Sequence, residues 1–264
     1  MNYDIIIPTT TRNKSILEIA LPYIQKNLQP HKIVIISKAD LELSTDVYYE
    51  FIDENELYSG LTYKRIREII ESRDKFAGKR AGWYLQQFLK FAYAYICKDD
   101  YYISWDADTI PLRRIEMFED GHPVFDVKDE YHLPYFTTIN KLFLQQIKRY
   151  DNFSFISEHM IFDKNCVIQL LCDIEQNSTL HGNNVFEKIL SAVNDIDLLM
   201  SGFSEFETYG NYMCIKHPDI YKIRHLNSLR DGDCVYGYVP TESNLQEASV
   251  KYDIITFENR IIQK

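Results

Sequence analysis

Two short aliphatic runs with a helical pattern between them constrain this chain's fold most strongly. Residues 4–8 read DIIIP and residues 31–36 read HKIVII, with apolar side chains at consecutive positions. Between them, residues 14–28 place apolar side chains at helical spacing. Strands that are apolar on both faces are typical of parallel sheets covered by helices. The order therefore predicts an α/β protein whose ligands bind beyond the carboxyl ends of the strands.

The rest of the chain continues this alternation less regularly, with more helix and strand patterns up to about residue 193. We interpret the second half as a strand-rich region added to an α/β core. Because the sequence has no Pro-, Gly- or Ser-rich linker, we expect one domain over residues 1–264. Helices are predicted at residues 61–73, 79–96, 164–175 and 184–193, and strands at residues 122–127 and 153–162.

Composition excludes several classes of protein. The 264 residues are 45% hydrophobic, enough for a substantial core, and the net charge of −10 argues against a partner of the nucleic-acid type. Five widely spaced cysteines predict buried thiols in a reducing compartment. No basic leader and no apolar run of about 18 residues is visible, so we expect no signal peptide or membrane span. A cytoplasmic protein is expected, with peripheral membrane association left open.

A pair of aspartates follows the apolar, β-prone run at residues 101–105. Asp106 and Asp108 are two positions apart, and in an extended chain such residues point to the same side. Both carboxylates can then converge on one hard divalent cation, which in turn can hold a diphosphate. The alternative is an ordinary acidic loop at a strand end.

The segment after the first strand, PTTTRNK, gives a second candidate site. It has no Gly-rich phosphate loop, so nucleotide binding of that kind is not expected. Thr9, Thr10 and Arg12 can still meet a base, a ribose or a phosphate. A solvated turn between strand and helix explains the same residues equally well.

Taken together, these motifs resemble the GT-A glycosyltransferases, which pass a sugar from a nucleotide-sugar donor to an acceptor. The resemblance is carried by DIIIPTT, HKIVIISKAD and the aspartate pair in ISWDADTIPL. KRAGWYLQQFLKFAYA, SEHMIFDK and SGFSEFETYGNY are similar to a bacterial glycosyltransferase-like family found with surface polysaccharide synthesis genes. The implied fold is a Rossmann-type mixed sheet flanked by helices. Residues 1–110 would bind the nucleotide sugar, and residues 111–264 would bind the acceptor and supply catalytic groups.

The resemblance also assigns roles near the donor. Asp108 would bind a Mn²⁺ or Mg²⁺ ion directly, and Asp106 would contact ribose or a metal-bound water. Asp40, at the end of HKIVIISKAD, would contribute to donor binding. His225 lies where many of these enzymes supply a late metal ligand, and Arg224 beside it could screen the diphosphate. A surface loop is the alternative for His225.

The helix start GKRAGWYLQQ should face the carboxyl ends of the strands. Arg80 could then contact donor phosphate or sugar, and Trp83 could stack on a base or a sugar. For a large aromatic residue, burial in the core is the more common explanation. Gln86, Gln87 and Lys90 lie away from the apolar stripe of this helix, and we interpret them as a solvated face.

A catalytic base is expected after the aspartate pair if transfer inverts the anomeric centre. Glu205 lies where inverting enzymes of this kind supply it, with Glu207 as the second candidate. Ser204 and Glu207 fit a capping box, which leaves Glu205 free. Alternatively, Glu205 is a first-turn acid that complements the helix dipole, as it would be in a retaining enzyme.

Two further residues could face the acceptor, a glycan or a lipid-linked saccharide. Glu158 and His159 are neighbours in a predicted strand, so their side chains should point to opposite faces. One of them should reach the acceptor cleft, whereas a hydrogen-bonded buried histidine is the ordinary explanation for His159.

Two other functional classes share some of these features. A haloacid-dehalogenase-like phosphatase also carries an Asp-x-Asp motif, but on its first core strand, whereas two strands precede the motif here. A catalytically silent glycan-binding module would suit the 20 tyrosines, although it would not need the aspartate pair or Glu205.

Overall fold

A computed structural model of the protein describes residues 1–258. Within that range helices and strands alternate only in part, since four strands follow one another over residues 101–126 and four helices over residues 164–216. The strands are β1 (Tyr3–Pro8), β2 (Lys32–Ser37), β3 (Glu50–Asp53), β4 (Tyr101–Trp105), β5 (Thr109–Pro111), β6 (Phe118–Glu119), β7 (His122–Asp126), β8 (His159–Asp163), β9 (Lys222–Arg224), β10 (Ser228–Leu229) and β11 (Ile254–Thr256). The helices are α1 (Lys14–Leu28), α2 (Tyr63–Arg73), α3 (Ala81–Ala92), α4 (Leu133–Leu142), α5 (Lys164–Glu175), α6 (Val185–Ala192), α7 (Asp195–Leu198), α8 (Glu205–Lys216), α9 (Gly232–Tyr236) and α10 (Glu242–Ser249).

The central sheet has five strands in the order β3-β2-β1-β4-β8. The first four are parallel and β8 is antiparallel to β4. The carboxyl ends of the four parallel strands therefore meet at one edge, where β8 begins with His159 opposite Trp105. Two three-stranded sheets, β10-β11-β5 and β6-β7-β9, lie outside it.

The core lies on both faces of the central sheet. Along β1, Ile6 packs into one hydrophobic cluster, and Ile5 and Ile7 pack into the other. Helices α2 to α6 and α8 cover the first face, and α1 and α10 with β5 and β11 cover the second. This three-layer arrangement confirms the predicted α/β class, with a mixed sheet flanked by helices in a single domain.

Several predicted boundaries are wrong. The strand predicted at residues 153–162 begins only at His159, because Ser154 pairs with Lys128 in an isolated bridge instead. The helix predicted at residues 79–96 is confined to α3, with a short 3-10 turn on each side. The second half is not strand-rich, since its strands have two to five residues and most of its regular structure is helical.

All five cysteines are free thiols. Cys97 is buried as predicted, but Cys234 is exposed and the other three are only half-buried. Among the described residues, no helix is both long and apolar enough to cross a bilayer.

Candidate functional site

A cavity of about 990 Å³ opens at the carboxyl ends of β1 and β2 and reaches Asp108. Small-molecule sites commonly have volumes of about 300 to 1,000 Å³. Its walls come from the segment after β1, the segment after β2, and the exposed side of α3. They include Thr9, Thr10, Arg12, Ser37, Lys38, Trp83, Gln86, Asp108 and Glu258.

The segment after β1 is held at the mouth of this cavity by backbone bonds. The Thr9 amide donates to the Ile36 carbonyl at 2.8 Å, which extends the pairing of β1 with β2 by one residue. The Gln86 side chain donates to the Pro8 carbonyl at 3.2 Å and ties α3 to the same turn. A 3-10 turn over residues 11–13 then leads into α1. Three residues predicted to bind the donor, Thr9, Thr10 and Arg12, line the cavity together.

The aspartate pair forms the turn that follows β4. The Asp106 amide donates to the Glu158 carbonyl at 3.0 Å, and the Asp106 carbonyl accepts from the Thr109 amide at 3.1 Å. Burial, then the negative charge of Asp106, raises the pKa of Asp108 to about 7. Such a carboxyl favours either a proton or a cation as its neighbour.

Lys90 is the functional candidate that sequence reasoning missed. Its ammonium donates to Asp106 Oδ1 at 3.2 Å and lies 2.8 Å from Glu205 Oε1. We call these three residues the Lys90 cluster. Burial would lower the pKa of Lys90, but the two carboxylates outweigh it and raise that pKa. The predicted solvated face is therefore wrong at Lys90, which is only 3% exposed, and at Gln87, which is also buried.

A signal for Lys90 did exist in the sequence. Helix α3 is apolar around most of its circumference, and a lysine in such a helix must be paired.

Glu205 and Glu207 occupy the first turn of α8 but have different surroundings. Two positions on a helix are separated by about 200°, so the two carboxylates point in opposite directions. Glu205 joins the Lys90 cluster and is 2% exposed. Burial raises its pKa, against the charge of Lys90. Glu207 is fully buried, where its carboxylate accepts from Ser154 and Asn211. Only half of the predicted capping box forms, with the Ser204 hydroxyl accepting from the Glu207 amide.

Arg80 and Trp83 lie together at the start of α3. The guanidinium stacks over the indole ring at 4.6 Å and donates to the Met200 carbonyl at 2.9 Å. Trp83 is half-buried and forms part of the cavity wall. Trp83 therefore lines the cavity, whereas Arg80 is not among the lining residues and contacts the indole ring.

A second charged group lies beside the start of β8, and we call it the Arg224 cluster. Arg224 donates through Nε and Nη2 to the two oxygens of Asp126, each at 2.8 Å. His159 Nε2 lies 2.8 Å from Asp126 Oδ2, and its ring stacks on Trp105 at 4.7 Å. Burial would raise the pKa of Asp126, but Arg224 and His159 lower it to about 2. Arg224 and His159, both predicted to bind a ligand, thus contact the carboxylate of Asp126.

The remaining candidates do not line the cavity. Glu158 is buried, with Lys128 Nζ at 3.3 Å from its carboxylate. His225 is exposed just after β9. Asp40 is exposed and accepts from the Glu42 amide at 3.0 Å. The structure therefore does not bring His225 or Asp40 to the cavity that Asp108 reaches.

The sequence also matches a known family over residues 4–235. The chain belongs to the family of unknown function DUF6492. No curated protein sequence matches it.

Several solved structures are similar at low identity. Mouse xyloside xylosyltransferase 1 is 14% identical with a TM-score of 0.44, and the match covers 99% of both chains. The galactosyltransferase LgtC is 8% identical with a TM-score of 0.39, over 97% of this chain and 87% of LgtC. The bifunctional glycosyltransferase WbbM is 11% identical with a TM-score of 0.45, over 98% of this chain and 46% of WbbM.

Proposed function

We propose that the protein is a glycosyltransferase that moves a sugar from a nucleotide-sugar donor to a glycan or a lipid-linked acceptor. The observation that carries this proposal is the cavity that joins the loop after β1, Trp83 and Asp108. Work in bacterial surface polysaccharide synthesis, at the cytoplasmic face of a membrane, is part of the proposal. The halves 1–110 and 111–264 would supply donor binding and acceptor chemistry respectively.

The lining of the cavity suits a nucleoside diphosphate. Trp83 offers a flat face for a base or a sugar ring. Arg12, Lys38 and Lys64 are cationic groups on its walls for the phosphates. Thr9 and Thr10 add hydroxyl groups at the end of β1. These groups converge beyond the carboxyl ends of parallel strands, the usual ligand position in open α/β sheets.

A divalent cation fits between the donor and the aspartate pair. Asp108, which lines the cavity, would bind it directly, and Asp106 would act beside it. Burial, and then the charge of Asp106, raises the pKa of Asp108, so a cation beside this carboxylate is favoured. All-oxygen ligands favour Mg²⁺ or Mn²⁺. When bound, the cation neutralises charge on the departing diphosphate. His225 remains a predicted third ligand, although it is exposed and does not line the cavity.

Glu205 is our candidate for the base of an inverting transfer. Its carboxylate would take the proton from the acceptor hydroxyl. Lys90 favours the charged form of Glu205 and fixes it relative to Asp106. In a retaining enzyme no base is needed, and Glu205 would instead position Lys90. Glu207 is a poorer candidate, because Ser154 and Asn211 occupy its carboxylate.

The other predicted site residues do not line the cavity, and we propose that they act on the donor or the acceptor through their neighbours. Arg80 would steady Trp83 against the donor. Glu158 and His159 would shape the acceptor side near the start of β8. Arg224 would act through Asp126 and His159 unless donor binding releases it. Asp40 would contribute only through the segment after β2, whose neighbours Ala39 and Leu41 line the cavity.

The test is a thermal-shift panel of nucleoside diphosphates and nucleotide sugars, each with and without Mn²⁺. A ligand at about 100 times its Kd adds roughly 2.7 kcal/mol to the folded state, which is a shift of roughly 5 to 10 °C here. We expect nucleotides of one nucleoside, uridine in preference to guanosine or cytidine, to stabilise the protein only with metal, and Asp108→Asn to remove that response.

Three results separate the alternatives. No metal-dependent nucleotide response in folded protein, by thermal shift and by calorimetry, would contradict the proposal. Stabilisation by metal fluorides together with phosphate-ester hydrolysis would indicate a phosphatase. A response to saccharides without nucleotides would indicate a glycan-binding module.

A further inference from the structure

A second group of metal-ligating side chains lies at the opposite edge of the central sheet. Asp4, His31 and Asp99 each offer one ligand atom, and the three atoms lie within 4.8 Å of one another. We call these residues the amino-end cluster. Asp4 is the second residue of β1, His31 precedes β2, and Asp99 precedes β4. Because these strands are parallel, the cluster lies at their amino ends, whereas Asp106 and Asp108 follow the carboxyl end of β4.

The two oxygens of Asp4 have unequal surroundings. Oδ2 accepts from the Tyr93 hydroxyl at 2.7 Å and has Lys32 Nζ at 3.7 Å. Oδ1 is buried and has no hydrogen-bond partner among the residues that the structure describes. The residue is only 1% exposed. A buried carboxylate oxygen without a donor is costly, so this atom favours a proton or a cation as its partner.

The groups facing Oδ1 suit a metal ion. His31 Nδ1 lies 3.9 Å from Asp4 Oδ1 and 2.9 Å from Asp99 Oδ2. Atoms bound to one ion at about 2.0 to 2.2 Å are themselves separated by about 3 to 4 Å. The His31 side chain is 57% exposed, so its ring can turn and a water molecule can complete the coordination. The positive charge of Lys32 lies on the Oδ2 side and is paired with Glu50 at 3.1 Å.

We propose that the amino-end cluster binds a divalent transition-metal ion of the Zn²⁺ type. One imidazole and two carboxylates favour such an ion over Mg²⁺ or Ca²⁺, which prefer ligand sets made only of oxygen. The ion joins β1 to the segments that precede β2 and β4. It therefore stabilises the sheet from the edge opposite the proposed transfer site, and does so independently of the sugar-transfer proposal.

The test is a Zn²⁺ titration of the full chain by calorimetry without nucleotide, with Co²⁺ absorption as a second readout. His31→Gln and Asp99→Asn each remove one ligand. We expect both to weaken binding at this site at least about tenfold, since even outer-shell changes cost roughly 10- to 100-fold. The intense visible absorption of bound Co²⁺ should fall with them.

Two controls separate this site from other metal-binding groups. His181→Gln removes an exposed histidine outside both sites, and Asp108→Asn removes the carboxylate of the proposed transfer site. Both should retain Zn²⁺ binding at the wild-type affinity. Unchanged affinity and Co²⁺ spectra in folded His31→Gln protein would overturn the proposal, as would loss of the binding in Asp108→Asn alone.

Discussion

The Lys90 cluster and the Arg224 cluster both place a cation against at least one buried carboxylate, yet they differ in charge and access. In the Lys90 cluster one ammonium serves two carboxylates, Asp106 and Glu205. In the Arg224 cluster one guanidinium binds both oxygens of a single carboxylate, Asp126. In the first cluster, two carboxylates therefore share one buried ammonium. In the second, Asp126 has a guanidinium bound to both of its oxygens, and the more exposed Glu119 lies 3.4 Å from the same guanidinium.

The two clusters also differ in how exposed their carboxylates are to a ligand. The Asp106 side chain is one-third exposed, and Asp108, two residues further on, reaches the cavity. The Asp126 side chain is only 1% exposed and is held by Arg224 and His159. A bidentate, closed ion pair has little capacity for a ligand, and breaking it leaves a buried charge. An open group with unbalanced negative charge attracts a cation. From this difference we expect ligand chemistry at the first cluster and a stabilising role for the second.

The largest expected effect is on catalysis at the aspartate pair. Asp108→Asn should abolish transfer and metal-dependent nucleotide affinity, because it removes the direct ligand of the proposed cation. The metal-free variant should be at least as stable as wild type, since it loses a carboxyl whose pKa is raised to about 7. Activity assays and thermal unfolding measure the two outcomes. Transfer that survives excess chelator in wild-type protein would remove the metal from the mechanism.

The next effect distinguishes the two acids of α8. Glu205→Gln should lower turnover by roughly 10²- to 10⁴-fold with donor affinity retained, because an amide cannot accept the acceptor proton. Glu207→Gln should mainly cost stability, about 1 to 3 kcal/mol, through its contacts with Ser154 and Asn211. Steady-state kinetics would measure the turnover of both variants, and denaturant unfolding would measure their stability. The assignment is reversed if Glu207→Gln alone stops turnover in folded protein, and a product with retained configuration would argue against a base altogether.

Removing Arg224 tests the stabilising role expected for the Arg224 cluster. Arg224→Met leaves Asp126 buried beside His159 only, so the free energy of unfolding should fall by about 3 to 5 kcal/mol. Nucleotide affinity of the folded fraction should stay within about twofold. Denaturant unfolding and calorimetry below the transition measure these quantities. A large loss of nucleotide affinity without a loss of stability would instead place Arg224 in the donor site.

The smallest effect is a pH dependence confined to the aspartate pair. Asp108 has a pKa raised to about 7, so without metal its carboxyl is mainly protonated below that pH. A cation must displace this proton, and Mn²⁺ affinity should fall about tenfold for each pH unit below about 7. In metal-free protein, ionisation of the same group should reduce stability as pH rises from about 4 to about 7. Calorimetry across this range checks both signs, and an affinity independent of pH would contradict them.

Some parts of the site were predictable because they depend on local sequence. The runs that form β1 and β2 are continuous and apolar, and Asp106 and Asp108 directly follow another such run. The position of Thr9 and Arg12 at the carboxyl edge follows from the same pattern. The prediction of a strand over residues 153–162 was wrong at its start, because Ser154 pairs with Lys128 instead of extending β8.

The sequence by itself determined β1, β2 and β4, the helix α1 between the first two, and the edge at which the aspartate pair lies, because hydrophobic periodicity reports burial within one segment. Only the tertiary structure decided which charges meet. Lys90 reaches Glu205, and Arg224 reaches Asp126, from elements far apart in the chain. Spacing contains no signal for such pairs, since a buried charge is defined by the group that packing brings to face it.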